Sequence, residues 1–248
     1  MRGIRTLGMA IALFGITYLA HAYPTLTGPT GMAIFPTAET APVGVAVAAD
    51  WQEFTDGHAI PIRAILALGD TFELGAMYTP FSDTVPALDK MWGANAKIRL
   101  GKLVGGDSAL GAQFLRLEDD TGFQIDFPQA YFAWTTDFGG GDSPMFGLTW
   151  GANWTRVDPE VGDSNDAFRF FGGVSVNVGR SISLLGEIQS ADSDIDDIKP
   201  ITSATARIGL GSTLNAQVGY TNALGVIGVE DHNWFAGLNL AFGGGDGY

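Results

Sequence analysis

From position 43 to position 242, apolar residues recur at every second place, segment after segment. Val43, Val45, Val47, Ala49 and Trp51 share one parity. Phe146, Leu148, Trp150, Ala152 and Trp154 do the same against Thr149 and Asn153, and Trp234, Ala236, Leu238, Leu240 and Phe242 repeat it near the C-terminus. A period of two is that of a β-strand with one apolar face. The pattern predicts strands at 43–52, 60–68, 71–79, 91–100, 108–118, 124–136, 145–155, 167–178, 181–190, 201–210, 213–221 and 232–242, about twelve, with ten the alternative count. Helical periodicity is nowhere comparable.

The joints between these strands alternate in length. Gly69-Asp70, Gly105-Gly106-Asp107, 139–142, Gly179-Arg180 and Gly211-Ser212 are short and carry glycine, which supplies the positive φ of tight hairpins. The others, at 55–59, 81–90, 119–123, 158–166, 191–200 and 222–231, are mostly longer and polar. One end of the sheet therefore carries tight turns and the other carries loops.

The two faces differ in an unusual way. The apolar parity bears Trp, Phe, Leu and Val on nearly every strand, while the polar parity is rich in Gly, Ala, Ser, Asn and Gln with isolated charges. A soluble sandwich would turn a more charged face to water. A closed sheet with its polar face inside needs an apolar solvent outside, and lipid is one. Closure pairs every backbone group, which the hydrocarbon region demands, and removes the edge strands. The expected fold is all-β: a closed antiparallel transmembrane β-barrel over 43–242, with short periplasmic turns and longer extracellular loops.

Composition narrows the picture. The 248 residues include no cysteine, which excludes disulfides and thiolate metal sites. The net charge of −14 argues against nucleic acid. Residues 1–22 combine Arg2 and Arg5, an apolar run from Leu7 to Leu19, and Ala20-His21-Ala22, the pattern of a cleaved secretory signal peptide. Cleavage removes two arginines and no acid, taking the charge from −14 to −16. Residues 23–42 contain Pro24, Pro29, Pro36 and Pro42 with Gly28 and Gly31, which disfavour a central strand. They read as a periplasmic lead-in, the preferred reading, or as a short plug folded into the lumen. Residues 243–248 form a C-terminal tail.

Two stretches carry resemblances. The stretch 232–242 resembles the C-terminal insertion signal of bacterial outer-membrane barrels, in which a glycine is followed by hydrophobic or aromatic residues three and five positions later. Gly237, Leu240 and Phe242 match it, although Phe235 stands where a polar residue is common and six residues follow Phe242. This likeness implies a Gram-negative cell envelope and the barrel-assembly machinery as a partner. The stretch 23–44, "YPTLTGPTGMAIFPTAETAPVG", resembles the start of the YjbH-like outer-membrane family linked to exopolysaccharide production, whose members are typically much longer.

Arg63, Glu73, Lys97, Arg99, Arg169, Glu187 and Arg207 fall on the inward parity and are the expected lumen-lining charges, with Gln113, Gln189, Asn215 and Gln217 beside them. Arg63 is expected near Glu73, on a turn that sets residues summing to about 139 opposite each other. Candidate catalysis is sparse. His58 and His232 are the histidines after position 22, and neither has a serine close in sequence; two histidines also make a poor zinc site. Asp192, Asp194, Asp196 and Asp197, and Asp158, Glu160, Asp163 and Asp166, are acidic loops. The first departs from a calcium loop, with no glycine at the sixth place and Ser203 at the twelfth. No metal or cofactor is expected. The expected function is a non-catalytic outer-membrane barrel, a porin-like narrow pore or an envelope component linked to exopolysaccharide export. The alternative is a barrel enzyme acting on lipid or lipopolysaccharide at the extracellular rim. Outer-membrane lipid and lipopolysaccharide are expected partners, and oligomeric state is open.

Overall fold

The structure, a computed structural model, describes residues 23–41, 44–55, 57–82, 88–139, 145–179, 181–191, 200–211, 213–223 and 233–242. The expected signal peptide, C-terminal tail and His232 lie outside them, as do Asp192, Asp194, Asp196 and Asp197. Two short strands, β1 (Tyr23–Pro24) and β2 (Thr30–Gly31), pair with each other. The remaining strands are β3 (Gly44–Phe54), β4 (Gly57–Ala59), β5 (Ile62–Leu68), β6 (Phe72–Pro80), β7 (Lys90–Leu103), β8 (Gly106–Glu118) and β9 (Gln124–Phe138), then β10 (Phe146–Pro159), β11 (Asn165–Val178), β12 (Ile182–Gln189), β13 (Ile201–Gly209), β14 (Leu214–Thr221) and β15 (Asn233–Phe242).

Each pairs antiparallel with its neighbour, and β15 pairs back onto β3, from Trp234↔Glu53 to Phe242↔Val45. The sheet is a closed barrel. β4 and β5 pair with β3 in one continuous register, Gln52↔Ala59 and Ala49↔Ile62, so they are one strand interrupted at Ile60-Pro61, and the barrel has twelve strands. Pro61 has no N–H, yet its carbonyl accepts from Asp50 N–H, and the ladder survives the break.

The two faces separate by parity. Val45, Val47 and Trp51 are exposed on the outside of β3, while Ala46, Ala48, Asp50 and Gln52 are buried inside it. Trp92, Trp150, Trp154, Trp234, Leu238 and Leu240 continue the exposed apolar wall. Inside, aromatic rings lie over glycines directly across the ladder: Tyr131 over Gly111, Phe171 over Gly151 and Phe235 over Gly219. A Cβ on any of these glycines would enter the ring. Phe235, which departs from the polar residue of the insertion pattern, is thus an interior packing residue.

The turns differ in detail from the expected ones. Leu103 pairs with Gly106, so the tight turn is Val104-Gly105, with φ of 47° and 82°. Leu68 pairs with Phe72, which leaves the three-residue turn Gly69-Asp70-Thr71, with φ of 65° at Gly69.

The segment before the barrel departs most from the preferred reading. Residues 23–41 lie inside the barrel rather than beside it. Tyr23, Thr25, Leu26, Ala33, Phe35 and Ala38 are buried, and Phe35 stacks on Phe171 of the wall with ring centroids 5.4 Å apart. A twelve-stranded barrel is wider than its own side chains can fill, and this segment occupies the excess.

Candidate functional site: the barrel interior

The interior wall is built by period-two geometry: every strand sends alternate residues inward, and the polar ones converge on the enclosed segment. Arg63 leaves β5, donates to the carbonyl of Thr25 at 3.2 Å, and forms an ion pair with Asp50 of β3. Both side chains are wholly buried. Gln217 of β14 donates to the other oxygen of Asp50 at 2.7 Å and accepts from Arg207 Nε of β13 at 3.3 Å. Arg207 also donates to the carbonyl of Gly31 at 3.1 Å and stands 4.3 Å from the centroid of the Tyr23 ring. Arg63, Asp50, Gln217 and Arg207 therefore make one chain of polar contacts around the β1–β2 ladder. Burial of a charge is tolerated where opposite charge and hydrogen bonds replace water: Arg63 and Asp50 neutralise each other, and Arg207 is held by its hydrogen bonds to Gly31 and Gln217 and by the Tyr23 ring.

The expected pairing of Arg63 with Glu73 is corrected. The three-residue turn sets Arg63 opposite Met77 and Ala67 opposite Glu73, four residues away from Arg63. A sum of 139 would also set an inward residue opposite an outward one; the observed sum of 140 preserves parity. Glu73 instead faces Lys97 of β7 directly, at 3.4 Å, and accepts from Ala41 N–H at 3.1 Å. Lys97 donates to the carbonyl of Glu39 at 2.5 Å.

Glu187 of β12 makes the densest contact with the segment. Its carboxylate accepts from the backbone N–H groups of Ala33, Ile34 and Phe35 at 2.9–3.3 Å and from the Ser203 hydroxyl at 2.5 Å. Successive N–H groups converging on one anion form a concave anion nest, here closed on a wall carboxylate. Gln113 donates to Thr27 O, and Thr135 accepts from Ala38 N–H at 3.0 Å. Arg169 is buried on the inner face of β11, opposite Asn153. Arg99 lies at the turn end and pairs with Asp107 at 2.9 Å.

Among the described residues, one cavity lies toward each end of the interior, between segment and wall. One, of about 50 Å3, lies toward the turn end beside Tyr23, Asp137 and Arg207. The other, of about 170 Å3, lies toward the loop end above Phe35 and Pro36. The Met32–Phe35 turn held by Glu187 stands between them.

Of the insertion-signal residues, Leu240 and Phe242 are exposed on the outer face. Gly237 faces inward opposite Asp50. His58 stacks its imidazole on Trp51, with ring centroids 4.0 Å apart and planes 13° apart. Ser82 does meet His58, but through the backbone: its hydroxyl accepts from His58 N–H at 2.9 Å.

Sequence reasoning missed Asp50, Thr135 and Glu39. Asp50 was detectable as a lone acid on the inward parity of β3. Thr135 has no signal beyond its parity, and Glu39 lies in a segment with no period to read.

No family model and no curated protein matches the chain. Solved structures do resemble it. The KdgM porin in complex with disordered oligogalacturonate superposes with a TM-score of 0.57 at 8% identity, over 80% of this chain and 99% of that one. The NanC porin gives 0.51 at 12% identity, over 81% and 100%. Omp33 of Acinetobacter baumannii gives 0.51 at 7% identity, over 81% and 99%. At these identities the likeness is one of fold: the closed antiparallel barrel of outer-membrane porins.

Proposed function

We propose that the chain is a non-catalytic, pore-like barrel of the bacterial outer membrane whose channel is held shut by its own N-terminal segment. The observation that carries this reading is the set of wall side chains, Arg63, Gln113, Arg207, Glu187, Thr135, Lys97 and Glu73, that grip the backbone of residues 25–41. Backbone contacts hold a segment in place without demanding particular side chains from it, which suits a plug. The exposed apolar wall supports a lipid surrounding, because a water-facing barrel would leave it unsatisfied. The porin fold of the similar structures supports a pore rather than an enzyme. A link to exopolysaccharide export rests on the likeness of residues 23–44 alone.

The test is conductance in planar bilayers, comparing the full chain with a variant lacking residues 25–39. The full chain should show small, infrequent openings and the shortened one a larger, steady conductance. Equal conductance in two barrels that both migrate as heat-modifiable, folded species overturns the plug reading.

A further inference from the structure

The loop-end cavity differs from the rest of the interior. Its volume, about 170 Å3 and partly open, is bordered by Phe35 of the N-terminal segment and by Met91, Leu115 and Phe127 of the wall. Ile201 and Ala223 close the opposite side. An adjoining cluster of buried Phe54, Met77, Phe81 and Leu117 makes this side of the mouth apolar as well. A volume of ~150 Å3 is enough for a benzene-sized molecule, and ligand sites combine apolar walls with a few placed polar groups.

Polar groups complete the lining: Thr27, Gln113, Gln129, Asn153, Thr155 and Gln189. Gln189 and Asn153 are both more than nine-tenths buried, and both line the cavity. Gln189 Nε2 donates to Asn153 Oδ1 at 3.2 Å. That bond uses one donor of the first amide and one acceptor of the second. It leaves the Asn153 amide donors and the Gln189 carbonyl for a ligand hydroxyl. Arg169 is the one charged group among the described lining residues, and it is engaged in an interaction of its own.

We infer that this cavity is a binding site for a small neutral aromatic molecule bearing one hydrogen-bonding group, with the ring between Phe35 and Phe127 and the polar group on the Asn153–Gln189 amide pair. The site does not depend on whether the channel conducts.

The probes are p-cresol, toluene and galacturonate, titrated calorimetrically into the full protein in lipid nanodiscs, with empty nanodiscs subtracted for partitioning. We expect p-cresol to bind saturably at one site and toluene to bind there more weakly, with no saturable heat from galacturonate. Asn153→Ala should weaken p-cresol about five- to tenfold, the worth of roughly one hydrogen bond, while toluene changes little. Filling the cavity with Ala223→Trp, or independently with Leu115→Trp, should abolish the saturable component in protein that still migrates as a folded barrel. The inference is overturned by an absence of saturable p-cresol binding, by binding that survives both filled variants, or by galacturonate binding in place of p-cresol.

Discussion

Gly237 of β15 stands directly opposite Asp50 of β3, and a Cβ at position 237 would fall on the Asp50 carboxylate. The pair lies on the seam where the last strand meets the first. The glycine that matches the insertion pattern therefore has a local reason to be there: it leaves room for the acid that neutralises Arg63. Gly237→Ala should destabilise the closed barrel by about 1–3 kcal/mol, the usual cost of overpacking. The loss is read from the temperature at which the compact, heat-modifiable band disappears on a denaturing gel. Asp50→Ala combined with Gly237→Ala relieves the clash but strands Arg63, so the double variant should recover little.

Arg63 and Asp50 should behave as a unit. Removing the cation alone, with Arg63→Met, leaves a buried carboxylate facing Gln217 and should cost roughly 3–5 kcal/mol. Arg63→Met with Asp50→Asn should cost less than either single change. Arg63→Glu sets two acids side by side and should be the most damaging of the set. If Arg63→Glu leaves both thermal stability and ion selectivity untouched, the inner network assigned to Arg63 is wrong.

Glu187 should act on the N-terminal segment more than on the barrel. Its carboxylate meets the N–H groups of Ala33, Ile34 and Phe35, so Glu187→Ala should free the Met32–Phe35 turn. Bilayer recordings should then show an open probability raised several-fold. Strand content by circular dichroism should remain that of the parent. An unchanged open probability would show that the other contacts suffice to hold the segment.

Val104 is the one residue other than glycine with positive φ among the described residues, at 47°, and its side chain is 90% exposed. A β-branched residue in this conformation is strained, and it packs against little that could compensate. Val104→Asn, which suits the first place of this two-residue turn, should stabilise the barrel by about 1 kcal/mol. A lowered thermal midpoint would contradict the assignment of strain.

Orientation is open to a direct test. With tight turns on the periplasmic side, a protease added to intact cells should cut within 158–166 or 191–200 and spare Gly69-Asp70. Cutting confined to the glycine turns would invert the barrel in the membrane.

Strand existence, strand parity and hairpin order were legible along the chain because each is a local property. A residue's side of the sheet depends on its place in a period of two, so Arg63, Lys97, Glu187 and Arg207 could be placed inward without knowing any partner. Closure followed from the contrast between an apolar parity and a weakly charged one. Partners were a different matter. Which acid meets Arg63 depends on register, and register turned on one added turn residue at Thr71 and on the continuity of β4 and β5 across Pro61. The seam between β3 and β15 joins residues almost two hundred positions apart, and no local signal sets Gly237 against Asp50. Residues 23–41 were the least legible. Their prolines and glycines exclude a regular strand but do not say where an irregular segment goes. Their place was decided by the space a twelve-stranded wall encloses and by the inward side chains that needed backbone partners within it.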